Sequence, residues 1–253
     1  MPYVSTDYGR LFVTDRSGDA PPLLLIHGAG SDHLSWSAPL RRLPGRRVLA
    51  PDLPGHGRSA GDAQADVMPY ANAVIALLDA LAVPKAIIAG HSMGGAIAQT
   101  LALDHSERVA GLILVTTGAR LPVNPQILQT VHADSAQVVE WITKWAWAPD
   151  APADMRALGR QALMQVSPQV LYADYLACDR FDIRARLGEI TAPTLVIGGE
   201  LDKMTPPKFS HTLATGIPGA ELRIIPGGGH YVVLEQPDTV TNIVKTWLEE
   251  RDS

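Results

Sequence analysis

A serine in a tight turn, a histidine in a glycine-rich loop and a carboxylate between them in chain order give this sequence the means to attack a carbonyl. The serine is Ser92, in Gly90-His91-Ser92-Met93-Gly94. Glycine two residues to either side lets a strand and a helix converge without side-chain collision. The serine between them takes a strained conformation that exposes its hydroxyl, the arrangement known as a nucleophile elbow. Strain of this kind clusters at active sites. Serine is also a favoured helix N-cap, so two uses of the hydroxyl stand open, capping and attack.

Attack needs a base, because neutral serine is a weak nucleophile. His230, in Gly227-Gly228-Gly229-His230-Tyr231, is the candidate. Three glycines before it allow the loop to carry the ring close over neighbouring backbone. An acid must orient that ring and stabilise the imidazolium. Asp202, in Gly198-Gly199-Glu200-Leu201-Asp202, suits the role; Glu200 is its rival, and a turn-forming aspartate is the plainer alternative. The order serine, acid, histidine is the hydrolase order. Negative charge on the carbonyl oxygen needs preorganised donors, each typically worth about 10²–10³ in rate. The backbone N–H groups of Met93 and of Ala29, in His27-Gly28-Ala29-Gly30, are the expected oxyanion hole.

These groups need a sheet edge to bring them together. Tyr3–Ser5 and Leu11–Thr14 read as an antiparallel pair about a turn near Tyr8-Gly9. Leu23–Ile26, Val48–Ala50, Ile87–Ala89, Val109–Val115, Thr194–Ile197 and Leu222–Ile225 read as buried strands. Ala71–Leu81 carries the apolar spacing of a helix, as do Ile243, Val244, Trp247 and Leu248. Strands alternating with helices imply a parallel sheet covered on both faces, with ligands at the carboxyl ends of the strands. His27, Ser92, Asp202 and His230 all follow strands. From Gly118 to Leu187 no strand is evident, only helical segments broken by prolines, too long for an ordinary connection. The expected organisation is an α/β core of residues 1–117 and 188–253, with residues 118–187 a helical cap inserted after the sixth strand.

The chain has 253 residues, enough for one large domain, and 46% apolar residues, enough for a substantial core. A net charge of −5 with no basic run leaves nucleic acid without an electrostatic footprint. The N-terminal residues lack the pattern of a signal peptide, and no apolar run is long enough to span a bilayer. One cysteine, Cys178, rules out an intrachain disulfide and fits a reducing compartment. The expectation is a cytoplasmic protein, monomer or homodimer, with no membrane or nucleic-acid partner.

Five segments in order resemble the α/β-hydrolase fold superfamily, in its serine esterase, lactonase and haloperoxidase-like branch. They are Leu25–Gly30, Pro51-Asp52-Leu53-Pro54-Gly55-His56-Gly57-Arg58-Ser59, Gly90–Gly95, Gly199–Asp202 with Thr205-Pro206-Pro207, and Gly229-His230 with Leu234-Glu235-Gln236-Pro237. The resemblance implies a mostly parallel eight-stranded sheet flanked by helices, a triad of Ser92, Asp202 and His230, no metal and no organic cofactor. Ser92 sets the chain apart from dehalogenases and epoxide hydrolases, which carry aspartate at the elbow, and from dienelactone hydrolases, which carry cysteine. Ala96 stands where the similar menaquinone-pathway synthases carry arginine. His91 is expected to pack behind the elbow and His56 to belong to a turn, and His33, His105, His132 and His211 show no metal-ligand spacing.

The substrate pocket is expected to involve His27, Gly28, Trp36, Trp141 and Trp145. The last two share a helix face, which serves equally as a pocket wall or as a seam between cap and core. Arg156 and Arg160 read as a solvated helix face rather than an anion clamp. The expected reaction is hydrolysis of small, largely apolar carboxylic esters through an acyl-enzyme. The alternatives are a lactone or C–C bond hydrolase with the same triad, a cofactor-free perhydrolase, and a ligand-sensing receptor on the same fold.

Overall fold

The computed structural model describes residues 2–252. Its eight strands are β1 (Tyr3–Thr6), β2 (Gly9–Arg16), β3 (Ala20–Ile26), β4 (Arg46–Pro51), β5 (Ala86–His91), β6 (Val109–Val115), β7 (Thr194–Gly199) and β8 (Glu221–Ile225). The helices are α1 (Ala38–Arg41), α2 (Val67–Ala80), α3 (Met93–Asp104), α4 (Pro125–Thr130), α5 (Ser135–Ala146), α6 (Ala153–Met164), α7 (Pro168–Arg180), α8 (Pro207–Gly216), α9 (Val232–Glu235) and α10 (Pro237–Asp252). One sheet holds all the strands, in the order β1-β2-β4-β3-β5-β6-β7-β8. β2 pairs antiparallel with both β1 and β4, and every later pairing is parallel. The hairpin register sets Tyr3 against Phe12 and Thr6 against Gly9.

The central strands are apolar on both faces because both are covered. Leu24, Ile26, Ile88, Leu112, Leu114 and Val196 join one core cluster with residues of α2 and α3. The alternate positions Leu23, Leu25, Ile87, Ile113, Leu195 and Ile197 join the other, against α1 and α10. A period of two on parallel strands divides the side chains in this way. Trp36 belongs to the second cluster, only 1% exposed. α2 starts four residues ahead of the sequence expectation because Asp66 caps it, accepting the Met68 N–H.

The chain runs from β3 outward to β4 and then returns to β5 on the other side of β3. The carboxyl ends of β3 and β5 thus flank a topological switch point, where such sheets place their ligands. Between β6 and β7 lie α4 to α7, with an apolar cluster of their own that includes Ile127, Val139, Ile142 and Leu171. Pro125 and Pro168 open α4 and α7 at the first helical turn, where a missing N–H costs nothing. A lone antiparallel bridge between Arg120 and Asp182 pins the two ends of this stretch together. Among the described residues no helix is long and apolar enough to cross a membrane.

Candidate active site

Ser92 sits between β5 and α3 with φ 52° and ψ −117°, a conformation costing roughly 1–3 kcal/mol for a non-glycine residue. The turn closes that tightly because Gly90 and Gly94 carry no Cβ. One at Gly90 would lie 2.1 Å from the Gly94 carbonyl oxygen, and one at Gly94 would lie 2.2 Å from the Ile26 carbonyl oxygen. The backbone holds the strain in place: Ser92 N–H donates to Val115 O (3.1 Å), and Ser92 O accepts from Thr117 Oγ1 (2.7 Å) and Gly95 N–H (2.8 Å). The Ser92 side chain makes no capping bond to α3. Of the two uses open to that hydroxyl, capping is therefore not the one taken.

His230 lies in the loop after β8. Its N–H donates to Ala146 O (2.8 Å), and its carbonyl accepts from Thr116 Oγ1 (2.9 Å) and from His91 Nε2 (3.0 Å). His230 Nδ1 lies 2.9 Å from Asp202 Oδ2, with both residues buried. That carboxylate is well satisfied. Oδ1 accepts the N–H groups of Met204 (2.8 Å) and Thr205 (2.9 Å), and Oδ2 also accepts Thr205 Oγ1 (2.7 Å). Burial opposes charge on Asp202, but the His230 charge and the bonds from His230 and Thr205 outweigh it and hold the acid below its ordinary value. Glu200, the rival, turns the other way to accept Gly227 N–H (2.9 Å) at an exposed site.

Ser92 and His230 line one cavity of about 440 Å³. Among the described residues no hydrogen bond joins Ser92 Oγ to the His230 ring; in hydrolases such bonds commonly tighten only in the Michaelis complex. The cavity wall is largely apolar, with Leu121, Val123, Ile127, Trp145, Tyr175 and Met204, and Lys203 as its cation. Met93 opens α3, and Gly28 lies against Ser92, a Cβ there falling 3.2 Å from Ser92 Cβ. Ala29 follows it directly.

Several expected pocket residues lie elsewhere. His27 is fully buried: its Nε2 accepts Leu53 N–H (3.0 Å) and its Nδ1 faces Gly28 O (2.9 Å), so the ring fastens two loops beneath the site. Trp36 packs in the core against the opposite face of the sheet. Trp141 stacks on Trp145 (ring centroids 6.5 Å apart), and only Trp145 reaches the cavity. Arg160 is bound by Glu140 at the surface.

The sequence reading also missed residues. Thr116 and Thr117 clamp the backbones of His230 and Ser92, and Glu235 accepts Gly229 N–H (2.6 Å) and Ala148 N–H (3.1 Å), tying the histidine loop to the helical stretch. Their only sequence signal is their place just past the strand ends and the histidine. Asp32, His33 and Asp52 bring one ligand atom each within 4.8 Å of the others. Two of their oxygens are already engaged: Asp52 Oδ1 faces His33 Nδ1 (2.7 Å) and Asp32 Oδ1 accepts Leu34 N–H (2.7 Å).

His91 and His27 make the site sensitive to acid. Burial, with the His230 charge second, pushes His91 down to about 3. Burial, with the His56 charge second, pushes His27 down to about 4. Both folded values lie below the ordinary 6.5, so the unfolded chain binds more protons as pH falls through 6.5. Each ring then removes up to about 1.4 kcal/mol of stability per pH unit. The urea midpoint is expected to fall between pH 7 and pH 5, less steeply in His91→Gln. A midpoint that stays level over that range would contradict this.

The doubly wound sheet and the serine turn at its switch point define the class as an α/β hydrolase. Residues 23–243 match the model of the Alpha/beta hydrolase family, and the chain belongs to that family. A 2-hydroxymuconate semialdehyde hydrolase of Pseudomonas sp. (strain CF600) is 31% identical over 258 residues, covering 94% of this chain and 90% of that protein. A solved thermophilic esterase is 33% identical with a TM-score of 0.87, covering 98% of this chain and 96% of the other. The enol-lactonase from Burkholderia xenovorans LB400 is 25% identical with a TM-score of 0.89, covering 98% and 100%.

Proposed function

We propose that this chain is a serine hydrolase that cleaves carboxylic esters of small, largely apolar substrates. One observation carries the reading: a strained, uncapped Ser92 opens into the same apolar cavity as His230, behind which Asp202 accepts from Nδ1. Ser92 Oγ attacks the carbonyl carbon while His230 Nε2 takes its proton. The tetrahedral oxyanion rests on the N–H groups of Ala29 and Met93. His230 then gives the proton to the leaving alcohol, and the acyl group stays on Ser92. Water, activated by the same ring, releases the acid. Residues 118–187 act as a cap whose α4 and α7 shape the acyl pocket, over a core of residues 1–117 and 188–253. No cofactor takes part in any step.

Lys203 favours a second reading. A cation at the cavity wall suits a substrate bearing a carboxylate, as the names of some C–C bond hydrolase relatives imply for theirs. Initial rates on p-nitrophenyl butyrate, γ-butyrolactone and an anionic β-diketone separate the two. The ester is expected to lead in kcat/KM by tenfold or more. A lead for the anionic diketone that Lys203→Met abolishes would favour the second reading.

A further inference from the structure

One residue beyond Ala29, a buried polar cluster ends on the oxyanion segment. Its centre is Asp174, fully buried on α7. Oδ2 accepts Gly30 N–H (2.7 Å) and faces His56 Nε2 (2.7 Å), and Oδ1 accepts Tyr70 Oη (2.6 Å). Tyr70 Oη in turn accepts Gln64 N–H (2.8 Å). His56 Nδ1 faces Pro54 O (3.0 Å), so both ring nitrogens meet acceptors and the ring carries two protons. Burial opposes that charge, but the Asp174 carboxylate outweighs it and holds His56 above its ordinary value. The turn holding His56 is thus bonded to the helical insert, not merely to the sheet edge.

A buried ion pair is weak evidence for stability, since an apolar replacement often does as well. Its value lies in what it fixes. Here it fixes the peptide between Ala29 and Gly30. The same helix also packs against that spot, where a Cβ on Gly30 would meet Leu171 Cδ2 at 2.7 Å. With Gly30 N–H spent on Asp174, Ala29 N–H is the donor left to the substrate.

Building on the esterase reading, we propose that Asp174 is a positioning residue: it holds the Gly28–Gly30 segment through Gly30 N–H and so preorganises the Ala29 donor, which makes the helical insert part of the oxyanion hole. Loss of a whole oxyanion donor costs about 10²–10³ in kcat; a donor left in place but loosened costs less, about 10–100-fold.

The test compares Asp174→Ala, Asp174→Asn and Tyr70→Phe with wild type. Asparagine keeps a carbonyl that can accept Gly30 N–H, and Tyr70→Phe leaves the Gly30 bond untouched. Three quantities are read: kcat and KM on p-nitrophenyl butyrate, Ki for phenylboronic acid (whose tetrahedral adduct places an oxygen in the oxyanion hole), and amide hydrogen exchange over Gly28–Ser31. Asp174→Ala is expected to lose 10–100-fold in kcat with KM within twofold, to weaken boronate by the same factor and to speed exchange over Gly28–Ser31. Both milder variants are expected to stay within threefold in kcat. If Asp174→Ala does not fold, Asp174→Ser, whose hydroxyl is too short to reach Gly30, takes its place. Wild-type kcat and Ki, or wild-type exchange, in the folded alanine or serine variant would overturn the proposal. Exchange reports on the anchor without turnover, so an inactive wild type would sink the esterase reading, while unchanged exchange would sink this one.

Discussion

Replacing Ser92 with alanine is expected to lower kcat on p-nitrophenyl butyrate by about 10⁵–10⁶-fold and to leave the fold intact. The size follows from the role proposed for Ser92: without Oγ that mechanism forms no acyl-enzyme, and only the proposed oxyanion donors and the binding cavity remain to act on water. The intact fold follows from the hydrogen bonds. The elbow is held by the Ser92 main chain, through Val115 O, Thr117 Oγ1 and Gly95 N–H. The hydroxyl caps nothing in α3. Alanine bears the same left-handed strain as serine, so the thermal midpoint should move by no more than about 2 °C, within the range of a neutral substitution. A fluorophosphonate should phosphonylate Ser92 of wild type with loss of HF, adding the mass of the phosphonyl group, and leave the mass of the variant unchanged. Turnover by the variant above a tenth of wild type would remove Ser92 as nucleophile. A midpoint drop of many degrees would return the hydroxyl to a structural role.

What could be read from the sequence was what local chemistry determines. Buried parallel strands announce themselves as apolar runs, and the run Val109–Val115 coincides with β6. The elbow was legible because the Gly90–Gly94 spacing records a backbone collision a few residues away. Ser92, Asp202 and His230, distant in sequence, converge because each follows a parallel strand and parallel strands end on one edge.

The cavity was not legible. Its walls come largely from residues 121–124, Ile127, Trp145, Tyr175 and Cys178, and which side chains face inward depends on how the helices of this stretch pack. Helical spacing put Trp141 and Trp145 on one face correctly, yet that face is wide enough for one ring to reach the cavity and the other to stack behind it. His27 failed as a pocket residue because position after a strand says nothing about which way a ring turns. Here the ring turns inward and its Nε2 accepts Leu53 N–H. Asp174 was invisible for the same reason: its partners at positions 30, 56 and 70 lie more than 100 residues earlier in the chain.

Asp202→Asn tests the acid more sharply than its removal does. The side chain keeps its shape, so the change is one of proton placement. Oδ1 accepts two backbone N–H groups, from Met204 and Thr205, and a carbamoyl group must leave its carbonyl oxygen there, because an NH₂ would oppose two donors. The NH₂ then takes the place of Oδ2 and points at His230 Nδ1, 2.9 Å away in the wild type. Nδ1 becomes an acceptor, and the ring proton moves to Nε2, the nitrogen that must be free to take the Ser92 proton. The wrong tautomer at an unchanged position is expected to cost about 10⁴-fold in kcat, with KM within a few-fold. Glu200→Gln, altering the carboxylate that faces Gly227 instead, should stay within about twofold, as a surface change away from the site does. If Asp202→Asn kept a tenth of the wild-type kcat while Glu200→Gln lost most of it, the acid would have to be reassigned to Glu200 and the histidine loop would have to move to meet it.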